Sequence, residues 1–134
     1  MGSIGELRGI HPKEATRLRK AGVRTTESLL RHASTKRGRN ALAKSTDLDA
    51  DKLLDWVNRA DLMRIKGVGA EYADLLKVVG VDTVKGLRRR NPRSLLNAMV
   101  DVNDEKRLVR RLPTEAMVAG WVEAASGVEP LVSS

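Results

Sequence analysis

The chain has 134 residues, with 25 Lys and Arg set against 17 Asp and Glu, a formal net charge of +8. That balance points to anionic partners such as nucleic acid or an acidic membrane surface and says nothing about fold. The absence of Cys excludes disulfides, thiolate metal ligands and thiol nucleophiles.

In chain order, Ser3 and Glu6 read as a capping box, and Pro12 stands where a first helical residue would, opening a helix near 12–21 that stops at Gly22. Thr25 starts a short helix with Leu29 and Leu30 on one face, and Lys36 to Ala43 reads as a third. Asp49 opens a fourth, which carries Leu53, Leu54, Trp56, Val57 and Ala60 as an apolar stripe and runs to about Leu62. Further helices are expected over Ala70 to Val79, stopped by Gly80, and over Thr83 to Arg90. Asn91-Pro92 opens one reaching about Val102, Asp104 to Arg111 forms another, and Thr114 to Ala125 the last. Gly127 to Ser134 is expected to fray. No alternating strand pattern of useful length occurs. With no Phe, one Tyr and two Trp, the core must be Leu, Val, Ile, Ala and Met, so the expected fold is all-α.

The chain resembles itself. A shift of 58 positions aligns Gly9 with Gly67, Ala15 with Ala73, Leu18 with Leu76, Gly22 with Gly80, and Val23, Thr25 and Leu29 with Val81, Thr83 and Leu87. Later the shift grows to 65, matching Trp56-Val57 with Trp121-Val122 and Ala60 with Ala125. A duplicated helical unit follows, with boundaries expected at 1–61 and 62–134, packed together and joined by a helix. The second unit is expected to end in a disordered tail from about 127.

The run Leu62-Met63-Arg64-Ile65-Lys66-Gly67-Val68-Gly69-Ala70 has the form of a helix-hairpin-helix motif, an apolar turn and a Gly-x-Gly corner followed by a helix. Glycines there let the backbone turn tightly and approach a partner, with N–H groups at the start of the next helix able to hold a phosphate oxygen. Val68 would lie beneath the turn, and Arg64 and Lys66 would add charge. The same corner also suits close packing of two helices, and Glu71 and Asp74 in the following helix oppose a phosphate. The first copy, Leu7-Arg8-Gly9-Ile10-His11-Pro12-Lys13, has His11 in place of the second glycine but keeps Lys13 at its helix start. His11 fits that turn only with negative φ or with strain.

Basic residues concentrate after the hairpins: Lys36-Arg37-Arg39, then Arg88-Arg89-Arg90-Arg93, then Lys106, Arg107, Arg110 and Arg111, the last set spaced to line one helical face. Residues 45–61 and 113–134 are net acidic. Such clusters serve either as a solvated surface or, if they converge, as an anion-binding face. Asp47-x-Asp49-x-Asp51 lacks the glycine and closing glutamate of a calcium loop and reads as a helix start. His11 and His32 fall in no metal-ligand spacing, so no catalytic residue, metal or cofactor is expected. No apolar run approaches the roughly 20 residues that span a bilayer. The start of the chain lacks a basic stretch followed by an apolar one, so a cytoplasmic protein without a membrane role is expected.

The two hairpins, the Ala-Gly-Val and Val-Gly-Val punctuation at 21–23 and 79–81, the run 58–69, and Val102-Asn103-Asp104-Glu105-Lys106-Arg107-Leu108-Val109-Arg110-Arg111 together resemble a bacterial domain-of-unknown-function family, four-three-three-two, over roughly residues 4–126. The resemblance implies tandem helix-hairpin-helix units and leaves activity open. Helix-hairpin-helix modules in general imply sequence-independent contact with the nucleic-acid backbone. The expected function is therefore binding to nucleic-acid backbone, duplex DNA first, through Arg64, Lys66, Gly67, Val68, Gly69, Arg8, Gly9, Lys13, Arg88, Arg89, Arg90 and Arg93. No small-molecule substrate is expected. The alternative is a protein-interaction adaptor that uses the same hairpins.

Overall fold

A computed structural model describes residues 2–133 and shows eight α-helices, one 3-10 turn and, among the described residues, no strand. Contacts divide the chain into two compact units, one comprising the residues up to Asp61 with a short segment from Leu131, the other Leu62–Pro130.

The first unit opens on the 3-10 turn Ile4–Glu6, where Ser3 Oγ accepts from Gly5 N at 3.3 Å. The expected capping box with Glu6 is thus a single tight turn rather than a helix start. Helix α1, Pro12–Lys20, follows. It ends because Gly22 takes a φ of 88°, which lets Val23 N–H reach back to Leu18 O at 2.9 Å and Gly22 N–H to Arg19 O at 3.0 Å. Thr25 Oγ1 caps α2, Thr26–Ala33, by accepting from Ser28 N at 3.0 Å, and Thr35 Oγ1 caps α3, Lys36–Thr46, by accepting from Gly38 N at 3.0 Å. Asp49 Oδ1 accepts from Asp51 N at 2.8 Å ahead of α4, Ala50–Leu62, so this aspartate acts at the helix start.

Arg39 does not join a surface cluster with Lys36 and Arg37. Only 4% exposed, its guanidinium donates to Ala33 O at 3.0 Å and Ser34 O at 2.9 Å, the carbonyls left over at the end of α2, and also to Ser133 O. Burial lowers its pKa. Ser133 N–H returns to Ser34 O at 2.9 Å, so the described end of the segment expected to fray, from Leu131, is tied to the first unit. Ser134, the end of that expectation, lies outside the described residues.

In the second unit α5, Ala70–Val78, ends as α1 does: Gly80 has φ 94°, Val81 N–H bonds Leu76 O at 2.9 Å, and Gly80 N–H bonds Lys77 O at 3.0 Å. Helix α6 is only Val84–Leu87. The expected extension to Arg90 fails because Gly86 weakens the helix and Pro92 forces Asn91 to an extended φ, ψ of −77°, 125°. Helix α7, Pro92–Lys106, passes through the break expected at Asn103 and replaces the expected Asp104–Arg111 helix. It stops when Arg107 turns left-handed at φ 50°, while the Asn103 side chain accepts from Val109 N at 2.9 Å and donates to Val109 O at 3.2 Å, holding the returning loop. Lys106, Arg107, Arg110 and Arg111 therefore share no helical face. Thr114 caps α8, Glu115–Ser126. Helix α7 packs on α5 and α8, and α8 on α6. Leu75, Leu76, Leu87, Leu95, Met99 and Val118, all fully buried, fill the space between them, each worth about 1.5–3 kcal/mol of burial.

Candidate nucleic-acid interface

Between α4 and α5 the backbone makes a type II turn. Val68 N–H bonds Ile65 O at 3.0 Å, and Gly67 at its third position has φ 92°, where a Cβ would be strained. Ile65 and Val68 are buried, which pins the turn to the core and leaves Lys66, Gly67 and Gly69 on the outside. Gly69 is the residue before α5, with φ −90° and ψ −170°. That conformation is open to any residue, so Gly69 is not needed for the bend. Its effect is to place no side chain there: it makes no cap hydrogen bond, and a Cβ added to it would meet nothing within 4 Å. Open space therefore lies beside Gly69 at the start of α5, an end at which helix N–H groups and the helix dipole favour an anion. Glu71 is exposed and Asp74 half-buried, and neither lacks an interaction partner.

Beneath this turn stands Trp121 of α8, 4% exposed. Its Nε1 is 3.2 Å from the position a Gly67 Cβ would take. The Tyr72 ring lies against it, with centroids 5.1 Å apart and planes tilted by 50°. Tyr72 Oη donates to Arg111 O at 3.0 Å, tying the loop that carries exposed Arg110 and Arg111 to the first turn of α5. In the sequence Trp121 aligns with Trp56, and neither Tyr72 nor Arg111 is placed at this turn. The signal was faint: Trp121 repeats Trp56, but nothing in a linear pattern sets it under a glycine more than 50 residues away.

The turn before α1 repeats the positive φ, 86° at Gly9, in different surroundings. His11 has φ −78°, so it sits there unstrained. Its Nδ1 accepts from Lys13 N at 3.1 Å, and Glu14 Oε1 accepts from His11 N at 2.9 Å, closing the helix start with a capping box. Burial alone would raise the Glu14 pKa. The His11 N–H and the Lys52 ammonium, at 3.1 Å, outweigh it and hold the carboxyl below its ordinary value. A Cβ on Gly9 would stand 4.0 Å from Asp55 Oδ2, a carboxylate paired with Arg59 Nε at 3.0 Å. Beside this turn an open groove of about 400 Å³ is lined by His11, Lys13, Glu14, Arg17, Asp49 and Lys52 among others. Two of its charged groups are engaged, Lys52 with Glu14 and Arg17 Nη1 with Asp47 O at 3.1 Å.

The sequence-expected residues divide between the units. Arg8, half-buried, exposed Gly9 and exposed Lys13 belong to the first. Arg64, half-buried, and Lys66–Gly69 belong to the second, as do Arg88 at the end of α6, exposed Arg89, half-buried Arg90 and exposed Arg93. Arg93 Nε pairs with Glu115 at 3.0 Å, an exposed ion pair of small energetic worth. Among the described residues no group of three or more His, Asp or Glu could hold a metal ion, and no helix is long and apolar enough to cross a membrane.

The chain belongs to the family described as a domain of unknown function, DUF4332, whose model matches residues 8–127. No curated protein and no solved structure matches it.

Proposed function

We propose that the turn Leu62–Gly69 and α5 carry a helix-hairpin-helix motif that binds the sugar-phosphate backbone of nucleic acid, duplex DNA first, with little preference for sequence. The observation that carries this reading is the open start of α5. A glycine stands at its cap without a side chain, Lys66 is exposed one turn position before Gly67, and Ile65 and Val68 are buried to hold the loop rigid. Phosphate contacts of this kind position a protein on a duplex and carry no base information. Arg89, Arg110 and Arg111, all exposed in the same unit, supply further charge. We read the module as one that binds and does not catalyse.

The test is fluorescence anisotropy against two unrelated duplexes and one single strand, repeated at about 50 and 200 mM salt. Saturable binding with similar affinity for both duplexes and a steep loss with salt supports the reading. No binding at the lower salt refutes it. A protein partner is the second reading, and the observation for it is that Val78 of α5 and Val100 of α7, on two helices that pack together, are both exposed. Exposed apolar side chains suit a protein better than a phosphate.

A further inference from the structure

We propose that the indole N–H of Trp121 is a hydrogen-bond donor to the phosphodiester oxygen seated at the Lys66–Gly69 turn. This rests on the reading of that turn as a backbone-binding hairpin. A tryptophan buried to this depth ordinarily gives its N–H to a protein acceptor or keeps it in reach of solvent. Trp121 is 96% buried by its 4% exposure, yet among the described residues its Nε1 donates to none. The indole nitrogen is also not sealed from solvent, since among the described residues the one buried side-chain N or O atom without a partner is Thr26 Oγ1, in the other unit.

Its position shows where a ligand oxygen would take the place of solvent at this donor. Nε1 lies 3.2 Å from where a Gly67 Cβ would be, so the absent side chain leaves an opening above the N–H at the outer face of the turn. The Tyr72 ring against the indole, itself held by its hydroxyl on Arg111 O, fixes the direction of the donor before any ligand arrives. An oxygen above Gly67 would meet the indole N–H from below, the open start of α5 from the side and the Lys66 ammonium from solvent. The glycine at 67 then has two roles, the positive φ of 92° and the window to Trp121. At Gly9 the corresponding neighbour is the Asp55 carboxylate, an acceptor that offers such an oxygen no donor.

The experiment uses the whole chain. It contains two Trp, so a 15N-labelled sample gives two indole N–H resonances, and Trp121→Phe assigns them. On titration with an unrelated duplex the Trp121 indole resonance is expected to shift with the same midpoint as anisotropy, while that of Trp56, 1% exposed, stays still. Trp121→Phe keeps an aromatic ring against Tyr72 and removes the donor, and its affinity is expected to fall about tenfold with the salt slope unchanged, because no charge is lost. If the wild-type chain binds duplex but its Trp121 indole resonance does not move, the Trp121 proposal is overturned and the backbone-binding reading stands. If the wild-type chain does not bind duplex, both fall. Should Trp121→Phe fail to fold, selective 15N-Trp labelling of the wild-type chain and of Trp56→Phe makes the same assignment.

Discussion

At Gly9 the chain makes its turn and then closes the helix start with its own side chains, His11 on the Lys13 N–H, Glu14 on the His11 N–H and the Asp55 carboxylate beside the glycine. At Gly67 it makes a turn with the same positive φ and leaves the helix start to backbone, with an indole N–H beneath the glycine in place of a carboxylate. The difference teaches that a glycine turn is a scaffold, and that the neighbours of the turn decide whether side chains of the chain itself close the helix start that follows. The first hairpin spends its N–H groups on internal caps, which stabilises α1. The second has a glycine without a side chain at its cap, Gly69, which costs stability at α5 and suits a ligand.

The comparison breaks most visibly at Gly67 itself. Gly67→Val places a branched side chain at φ 92° and against Trp121 Nε1, and is expected to lower stability by about 2–4 kcal/mol in a thermal melt. Gly69→Ala, at a conformation any residue adopts, should change stability by less than about 1 kcal/mol. A smaller effect is expected from charge. Lys66→Glu should weaken duplex affinity about tenfold and flatten the salt dependence, whereas Lys13→Glu on the capped hairpin should move it less than about threefold in the same anisotropy assay.

How much of this was legible follows from the type of signal. Helix starts were readable wherever a capping side chain marks them, at Thr25, Asn91 and Thr114, because the chemistry that satisfies the first N–H groups is local. The end of α7 was not, since Asn103 spends its amide on Val109 and an arginine, Arg107, takes the left-handed stop that sequence patterns assign to glycine. Gly67 was legible as a turn, but Gly69 was credited with a bend it does not make. Arg39 read as surface charge because a linear pattern cannot show three backbone carbonyls converging on it. Trp121 was hidden for the same reason, its place under Gly67 being a property of packing.

Two milder perturbations sharpen the contrast from the side of the capped turn. His11→Ala removes the cap on the Lys13 N–H and should cost about 1 kcal/mol of stability by denaturant melt while leaving duplex affinity unchanged. The weakest effect is acid. The Glu14 pKa is lowered in the folded chain, so its contribution is present above its ordinary value of 4.5 and is lost as pH falls through the depressed folded value. Amide exchange at His11, whose N–H Glu14 accepts, should therefore accelerate below about pH 4.5 beyond the intrinsic pH dependence, with no matching change at Ala70.

The contrast between the two hairpins is tested most directly by following backbone amide resonances of the 15N-labelled chain as an unrelated duplex is added. The expected result is saturable shifts centred on Lys66 to Glu71, with His11 to Glu14 unmoved at the same duplex concentration. Shifts centred on His11 to Glu14, or equal at both turns, would contradict the account, because the capped and open helix starts would then be equivalent to a phosphate.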